Sequence, residues 1–117
     1  MEKGYKTLNV YKKADQLVKK IYIFTKYFPK EEMFGLVSQM RRSAVSVVAN
    51  LVEGWARKNS KEKTQFYYIS RGSLTELEYY IDLSFSLQYL NKTQFQELFG
   101  LRNDVGKLLN GLIKSQE

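Results

Sequence analysis

The sequence contains no cysteine, no histidine and only one proline. Without cysteine the chain can form neither a disulfide nor a zinc–thiolate site, and it has no thiol nucleophile. Without histidine it lacks the commonest general base and the commonest transition-metal ligand. Ser-His-Asp, Cys-His and His-Glu-x-x-His chemistry are therefore excluded. We expect a protein that is not an enzyme and that holds no metal and no cofactor.

Long apolar runs are also missing. The longest uncharged stretch, residues 43–52, has ten residues, about half of the roughly 20 that a membrane span needs. No apolar segment follows the first residues, so a secretory signal is not predicted. These features favour a soluble, cytoplasmic protein without a membrane partner.

The composition is that of a globular protein, with 44% apolar and 26% charged residues in a chain of 117 residues. One domain over residues 1–117 is predicted. The net charge is +7, and residues 1–30 carry most of it, with eight lysines against two carboxylates. Such a region attracts polyanions through counterion release. The alternative interpretation is a solvated outer face that serves only solubility.

Apolar residues recur at spacings of three and four, which predicts helices. Their predicted ranges are roughly 10–28, 34–57, 60–90 and 93–114. Because the connections are short, consecutive helices are expected to be antiparallel. The fold class is therefore all-α, an antiparallel up-down four-helix bundle. Ser60 is the predicted N-cap of the third helix, and Thr93 with Gln96 has the form of a capping box in the fourth.

The first helix places its lysines away from its apolar stripe. On a helical wheel the outward set, with one aromatic residue among the cations, is Lys12, Lys13, Lys19, Lys20, Lys26 and Tyr27. Cations beside an aromatic ring are typical of surfaces that bind phosphates and an unstacked base. The sequence therefore predicts a nucleic-acid interface on this helix.

The third helix carries a second apolar line about 120° from its main seam. Its members are Tyr68, Gly72, Tyr79, Leu83 and Leu90, and the first four are the predicted oligomer interface. The second helix is apolar over more than half of its circumference. Extra apolar surface on two of four helices predicts a homo-oligomer.

Arg41 lies inside the apolar arc of the second helix. An isolated buried guanidinium is very costly, so this residue is expected to be buried beside a carboxylate, with Glu76 and Glu53 as the first candidates, or at a subunit boundary.

Several segments of the chain carry a family resemblance. They are FGLVSQMRRSAVS at 34–46, VVANLVEG at 47–54 and GSLTELE at 72–78, with FPKE at 28–31 after the lysine-rich first helix. These segments resemble one bacterial family, the 23S rRNA intervening-sequence proteins. The family pattern usually has proline where this chain has Val48, so the second helix is predicted to lack a proline kink.

The resemblance covers roughly residues 8–90 and implies a four-helix bundle without a known catalytic activity. A related protein, the accessory variability determinant of diversity-generating retroelements, is a barrel-shaped homopentamer that associates with a reverse transcriptase and nucleic acid. The resemblance therefore implies a homopentamer, with RNA, DNA, a reverse transcriptase or another protein as candidate partners.

Four polar residues on the helices match the family pattern: Arg41, Asn50, Glu53 and Glu76. We interpret them as a structural network of ion pairs and hydrogen bonds that fixes helix register. An active or binding site is the alternative, in which the carboxylates of Glu53 and Glu76 could bind a metal.

Two classes of function compete. The first is an oligomeric accessory factor for nucleic acid or ribonucleoprotein. The second is an oligomeric scaffold or interaction module that does not bind nucleic acid. Salt-dependent retention on a polyanion column distinguishes them.

Overall fold

Four amphipathic helices make up most of residues 4–117, the part of the chain that the computed structural model describes. They are α1 (Asn9–Thr25), α2 (Leu36–Trp55), α3 (Ser60–Ser86) and α4 (Lys92–Lys114). Short 3₁₀ turns precede α1 at Gly4–Thr7 and α2 at Lys30–Glu32, and this part of the chain has no strand.

The helices form an antiparallel up-down bundle of 44 × 25 × 24 Å. Each of α1 and α3 packs against both α2 and α4, so α1 and α3 lie diagonally across the bundle. The α2–α3 pair has the most extensive contact. The predicted fold class is confirmed.

One hydrophobic core joins all four helices. The spacing in α1 predicts a buried stripe of Val10, Ala14, Leu17, Ile21, Phe24 and Phe28. All are buried except Phe24, which is only partly buried, and Thr25 is buried beside it. In α2 the predicted stripe is Leu36, Met40, Ala44, Val47, Leu51 and Trp55, and all are buried except Trp55, which is exposed. The spacing of apolar residues thus locates the core correctly.

The end of α1 comes earlier than predicted, at Thr25 instead of Phe28. Tyr27 N–H donates to Phe24 O and Phe28 N–H to Thr25 O, so the last turn tightens into i→i−3 bonds before Pro29. Phe28 still enters the core from this turn. The apolar pattern continues through the turn although the α-helix does not.

The end of α3 is also earlier than predicted, at Ser86 instead of Leu90. Gln88 has a φ of 66°. Its N–H donates to Phe85 O at 3.0 Å, and Tyr89 N–H donates to Ser84 O at 2.9 Å. This is a Schellman motif, which usually has glycine at the left-handed position.

In both α3 and α4 the N-cap is an asparagine that precedes the predicted residue. Asn59 caps α3 by accepting a hydrogen bond from Glu62 N–H at 2.8 Å, and Ser60 is the first helical residue. In α4 the capping box consists of Asn91 and Gln94. Asparagine is at least as good an N-cap as serine or threonine, so the earlier residue is used in each case.

Candidate nucleic-acid interface

The outer side of α1 carries a line of exposed cations. Lys12, Lys19 and Lys26 are exposed, and their seven-residue spacing corresponds to about 10.5 Å along the helix. Lys19 Nζ lies 2.8 Å from Asp15 Oδ2 one turn away. The hydrogen bond to that carboxylate raises the pKa of Lys19 above its ordinary value, so the ammonium stays charged. We call Lys12, Lys19 and Lys26, with Tyr27, the α1 basic face.

Two of the five predicted lysines belong to a different environment. Lys13 Nζ lies 3.6 Å from Asp104 Oδ2, and Lys20 Nζ lies 2.8 Å from Glu97 Oε1. Both carboxylates are on α4, so this side of α1 faces α4. The prediction of one outward face formed by all five lysines is therefore corrected, since Lys13 and Lys20 join α1 to α4 and their charges are compensated.

Aromatic rings accompany the free cations. Tyr27 is 82% exposed just beyond the end of α1. Tyr22 is also exposed, but the Arg41 guanidinium lies 4.6 Å from its ring centroid. One face of Tyr22 is therefore occupied, and Tyr27 is the ring that remains open for stacking.

Arg41 is partly buried, as predicted, but its partners are different. Its Nε donates to Thr25 Oγ1 at 3.0 Å and its Nη2 to Tyr22 O at 3.5 Å. Within residues 4–117 no carboxylate lies within ion-pair distance of it. The predicted pairing with Glu76 or Glu53 is wrong, because Arg41 faces α1 whereas those carboxylates lie along the α2–α3 side.

The neighbouring arginine makes the predicted contact instead. Arg42 donates to Glu76, and this hydrogen bond raises the pKa of Arg42 above its ordinary value. Adjacent helical residues point about 100° apart, since a turn has 3.6 residues. Because of that rotation, Arg41 faces α1 whereas Arg42 reaches Glu76 on α3.

The four residues predicted as one structural network are divided among separate contacts. Asn50 Nδ2 donates to Ser46 O at 2.9 Å and to Ser46 Oγ at 3.0 Å. Ser46 Oγ in turn lies 2.8 Å from Ser73 Oγ on α3. Glu53 accepts from Arg57, which lies just beyond the end of α2. Each contact joins only two or three residues. Together these contacts do not connect Arg41, Asn50, Glu53 and Glu76 with one another.

The predicted second line of α3 lies on the surface of the protomer. Tyr68, Gly72 and Tyr79 are exposed, whereas Leu83 is partly buried against the core. A Cβ added at Gly72 would meet no atom within 4 Å. Leu90, the last residue of the line, is buried. The line is therefore open to contact from outside the protomer at three of its five positions.

The structure also brings together cations that the sequence prediction missed. Arg71 on α3 and Arg102 and Lys107 on α4 line a groove of about 350 Å³. Arg102 lies between the buried Leu98 and Val105 along the core-facing side of α4. In the sequence the signal was an arginine within an apolar line. Arg71, which lines the groove from α3, is 31 positions away from it.

The described part of the chain shows neither a metal-ligand cluster nor a membrane-spanning helix. Among residues 4–117 no three His, Cys, Asp or Glu side chains group closely enough to hold a metal ion. No helix in the same range is long and apolar enough to cross a membrane.

Replacing Arg41 by alanine is expected to lower the free energy of unfolding by about 1–2 kcal/mol, the worth of a hydrogen bond and a cation–π contact. If Arg41 instead formed a buried ion pair, removing this one partner would cost about 3–5 kcal/mol. Urea denaturation distinguishes these values. The control is Arg42→Ala, whose exposed ion pair is worth less than about 1 kcal/mol. A loss at Arg41 in the larger range would require a carboxylate partner and contradict the contacts described.

Comparisons with known proteins agree on the fold. A sequence model described as 23S rRNA-intervening sequence protein matches residues 6–111. A crystal structure from Bacteroides thetaiotaomicron VPI-5482, described as a protein with unknown function from the S23 ribosomal protein family, is similar with a TM-score of 0.83. The match covers 90% of this chain and 98% of that chain at 23% identity. No curated protein matches this chain.

Proposed function

The chain belongs to the 23S rRNA-intervening sequence protein family, and from that premise we propose that it is a non-enzymatic accessory protein that binds single-stranded nucleic acid through the α1 basic face. The observation that carries the proposal is the net positive charge of this face, since within the described residues its three lysines form a single ion pair, with Asp15. Among residues 4–117, Lys12 and Lys26 have no ion-pair partner, and Lys19 is paired only with Asp15 on the same exposed surface.

The arrangement favours contact with phosphates over reading of base edges. Lysine acts as a mobile point charge on a flexible stem, which suits sequence-independent contact with a backbone. Tyr27, with its ring in solvent, supplies a surface on which an unstacked base can lie. We therefore expect weak sequence preference and similar binding of single-stranded RNA and DNA.

Charge reversal of the α1 basic face tests the proposal. The variant Lys12→Glu/Lys19→Glu/Lys26→Glu should lose retention of a single-stranded oligonucleotide in a gel shift at low salt, because each phosphate contact is replaced by repulsion. A matched control, Lys58→Glu/Lys61→Glu/Lys114→Glu, makes the same change in net charge at exposed lysines outside α1. The control should retain most of the binding.

Two results would count against this function. If the wild-type protein gives no gel shift, the lysines of α1 form only a solvated face. Equal loss in both triple variants would show a response to net charge alone.

A second proposal, self-assembly, is favoured by the exposed line of Tyr68, Gly72 and Tyr79 on α3. Tyr79 is 62% exposed and Tyr68 is 46% exposed, so two large rings flank a glycine at which another backbone can approach closely. We propose a homo-oligomer, with five subunits as the resemblance implies. Assembly would repeat the α1 basic face and raise a modest single-site affinity through avidity. If nucleic acid does not bind, assembly alone corresponds to a scaffold.

Replacing Gly72 by leucine is expected to convert the oligomer to a monomer of 13.8 kDa. The fold should tolerate the change, because no atom lies within 4 Å of the added Cβ in the protomer. Light scattering after gel filtration gives the mass, and circular dichroism checks the helices. A wild-type protein that already has the monomer mass at micromolar concentration would overturn assembly.

A further inference from the structure

We propose that the groove between α3 and α4 is a binding site for a phosphate group. Its polar lining includes Arg71 from α3 and Arg102, Asn103, Lys107 and Asn110 from α4. We call it the α3–α4 groove. Its volume of about 350 Å³ falls at the lower end of the roughly 300–1,000 Å³ of small-ligand sites.

The charge of the α3–α4 groove is positive. Three of its lining residues are cationic and none is a carboxylate. Glu78 compensates part of this charge, since its Oε1 lies 2.8 Å from Arg102 Nη2. Arg71 and Lys107 have no ion-pair partner in the described part of the chain. Cations on two facing helices converge on the same space, which favours an anion there.

The hydrogen-bonding groups of the groove are mostly donors. Arg71 Nη1 donates to Asn110 Oδ1 at 3.2 Å, and Arg102 Nη1 donates to Asn103 Oδ1 at 3.3 Å. Because both amide oxygens already accept from arginines, the two amide NH₂ groups remain as donors. An acceptor-only ligand complements such a set.

Arg102 has a hydrogen-bond donor without an acceptor. Its Nε is shielded from solvent and has no acceptor among residues 4–117. A buried donor without a partner is rare and costs free energy. The guanidinium carries its charge beside the groove, and arginine binds phosphate with favourable geometry.

The groove and the α1 basic face are separate surfaces. The groove lies between α3 and α4, and α1 is diagonal to α3. A strand bound along α1 therefore does not by itself occupy the groove. The inference goes beyond the proposed nucleic-acid interface and does not depend on it.

The phosphate can come from two sources, a terminal phosphomonoester or a backbone phosphodiester. Both present oxygens that only accept hydrogen bonds from these donors. The monoester carries about −1.5 to −2 charges near neutral pH, against one for the diester.

The test is an NMR titration of the protein with inorganic phosphate at constant ionic strength. We expect saturable shifts of the side-chain amides of Asn103 and Asn110 at millimolar phosphate. The double variant Arg71→Ala/Lys107→Ala should weaken the affinity by about tenfold or more, because two charge-assisted contacts are lost. Both residues are exposed, so the fold should be unaffected. Lys114→Ala, an exposed lysine of α4 outside the groove, should bind phosphate like the wild type.

Competition then separates the two sources. A nucleoside monophosphate that displaces phosphate, when an oligonucleotide with hydroxyl ends does not, assigns the site to a monoester. Displacement by that oligonucleotide assigns it to the backbone. Absence of saturable shifts at Asn103 and Asn110, or equal affinity in the wild type and the double variant, would overturn the proposal. Because the double variant leaves α1 intact, neither result depends on binding at the α1 basic face.

Discussion

Replacing Gly54 by alanine is expected to lower the free energy of unfolding by about 1–3 kcal/mol, the usual cost of overpacking a close helix contact. Gly54 is buried near the end of α2, where α3 crosses it. A Cβ there would lie 2.8 Å from Tyr67 Cε1 and 2.9 Å from Phe66 Cβ. Tyr67 is itself fully buried, so its ring has little room to move away.

The matched control is Gly100→Ala in α4. A Cβ at this exposed position meets nothing within 4 Å, and alanine should stabilise the helix by about 0.5–1 kcal/mol relative to glycine. Urea denaturation of both variants gives the two changes with opposite signs. If Gly54→Ala stabilises the protein as Gly100→Ala does, the close approach of α2 and α3 at this point is wrong.

Replacing Leu77 by alanine is expected to lower the free energy of unfolding by about 2–5 kcal/mol through lost burial and the remaining cavity. Leu77 has no exposed surface and lies on the core side of α3. Leu87→Ala is the control, because this leucine is 46% exposed just beyond the end of α3. Thermal or urea unfolding should give a small change for the control. A similarly small change at Leu77 would mean that another face of α3 is buried.

The positions of the helices and of the core could be predicted from the spacing of apolar residues. Val10, Ala14, Leu17 and Ile21 show why, since every one is buried and their spacings alternate between four and three. Packing of such stripes leaves few arrangements when the connections are short. Local pattern therefore determines most of this fold.

The helix ends could not be predicted equally well. Gln88 adopts a left-handed conformation that is normally associated with glycine, so nothing in the sequence marked the end of α3. Pro29 did mark the limit of α1, but the α-helix ends before it in a tightened turn. Ends depend on a few hydrogen bonds, whereas the stripes depend on many buried side chains.

The candidate sites were predicted only where a single helix defines them. The wheel of α1 placed Lys12, Lys19 and Lys26 outward correctly. It could not show that Asp104 and Glu97, far away in the sequence, compensate Lys13 and Lys20. Tertiary packing decides such pairs. The α3–α4 groove was missed for the same reason, since its cations come from two helices.

Prediction and structure differ most instructively at Arg41. Its position in the apolar arc correctly indicated burial, and the requirement for partners was also correct. The partners are the hydroxyl of Thr25 and the ring of Tyr22, not a carboxylate. A partly exposed guanidinium keeps contact with water, so neutral partners suffice.

The salt dependence of nucleic-acid binding tests the central claim most directly. The association constant for a short single-stranded oligonucleotide should be measured at several salt concentrations for the wild type and for Lys12→Ala/Lys19→Ala/Lys26→Ala, which removes the three charges without adding repulsion. Each phosphate contact contributes about 0.7 to the slope of log K against log salt for single strands, so three lysines predict a wild-type slope that is steeper by about 2. Equal slopes for the two proteins would contradict binding at the α1 basic face.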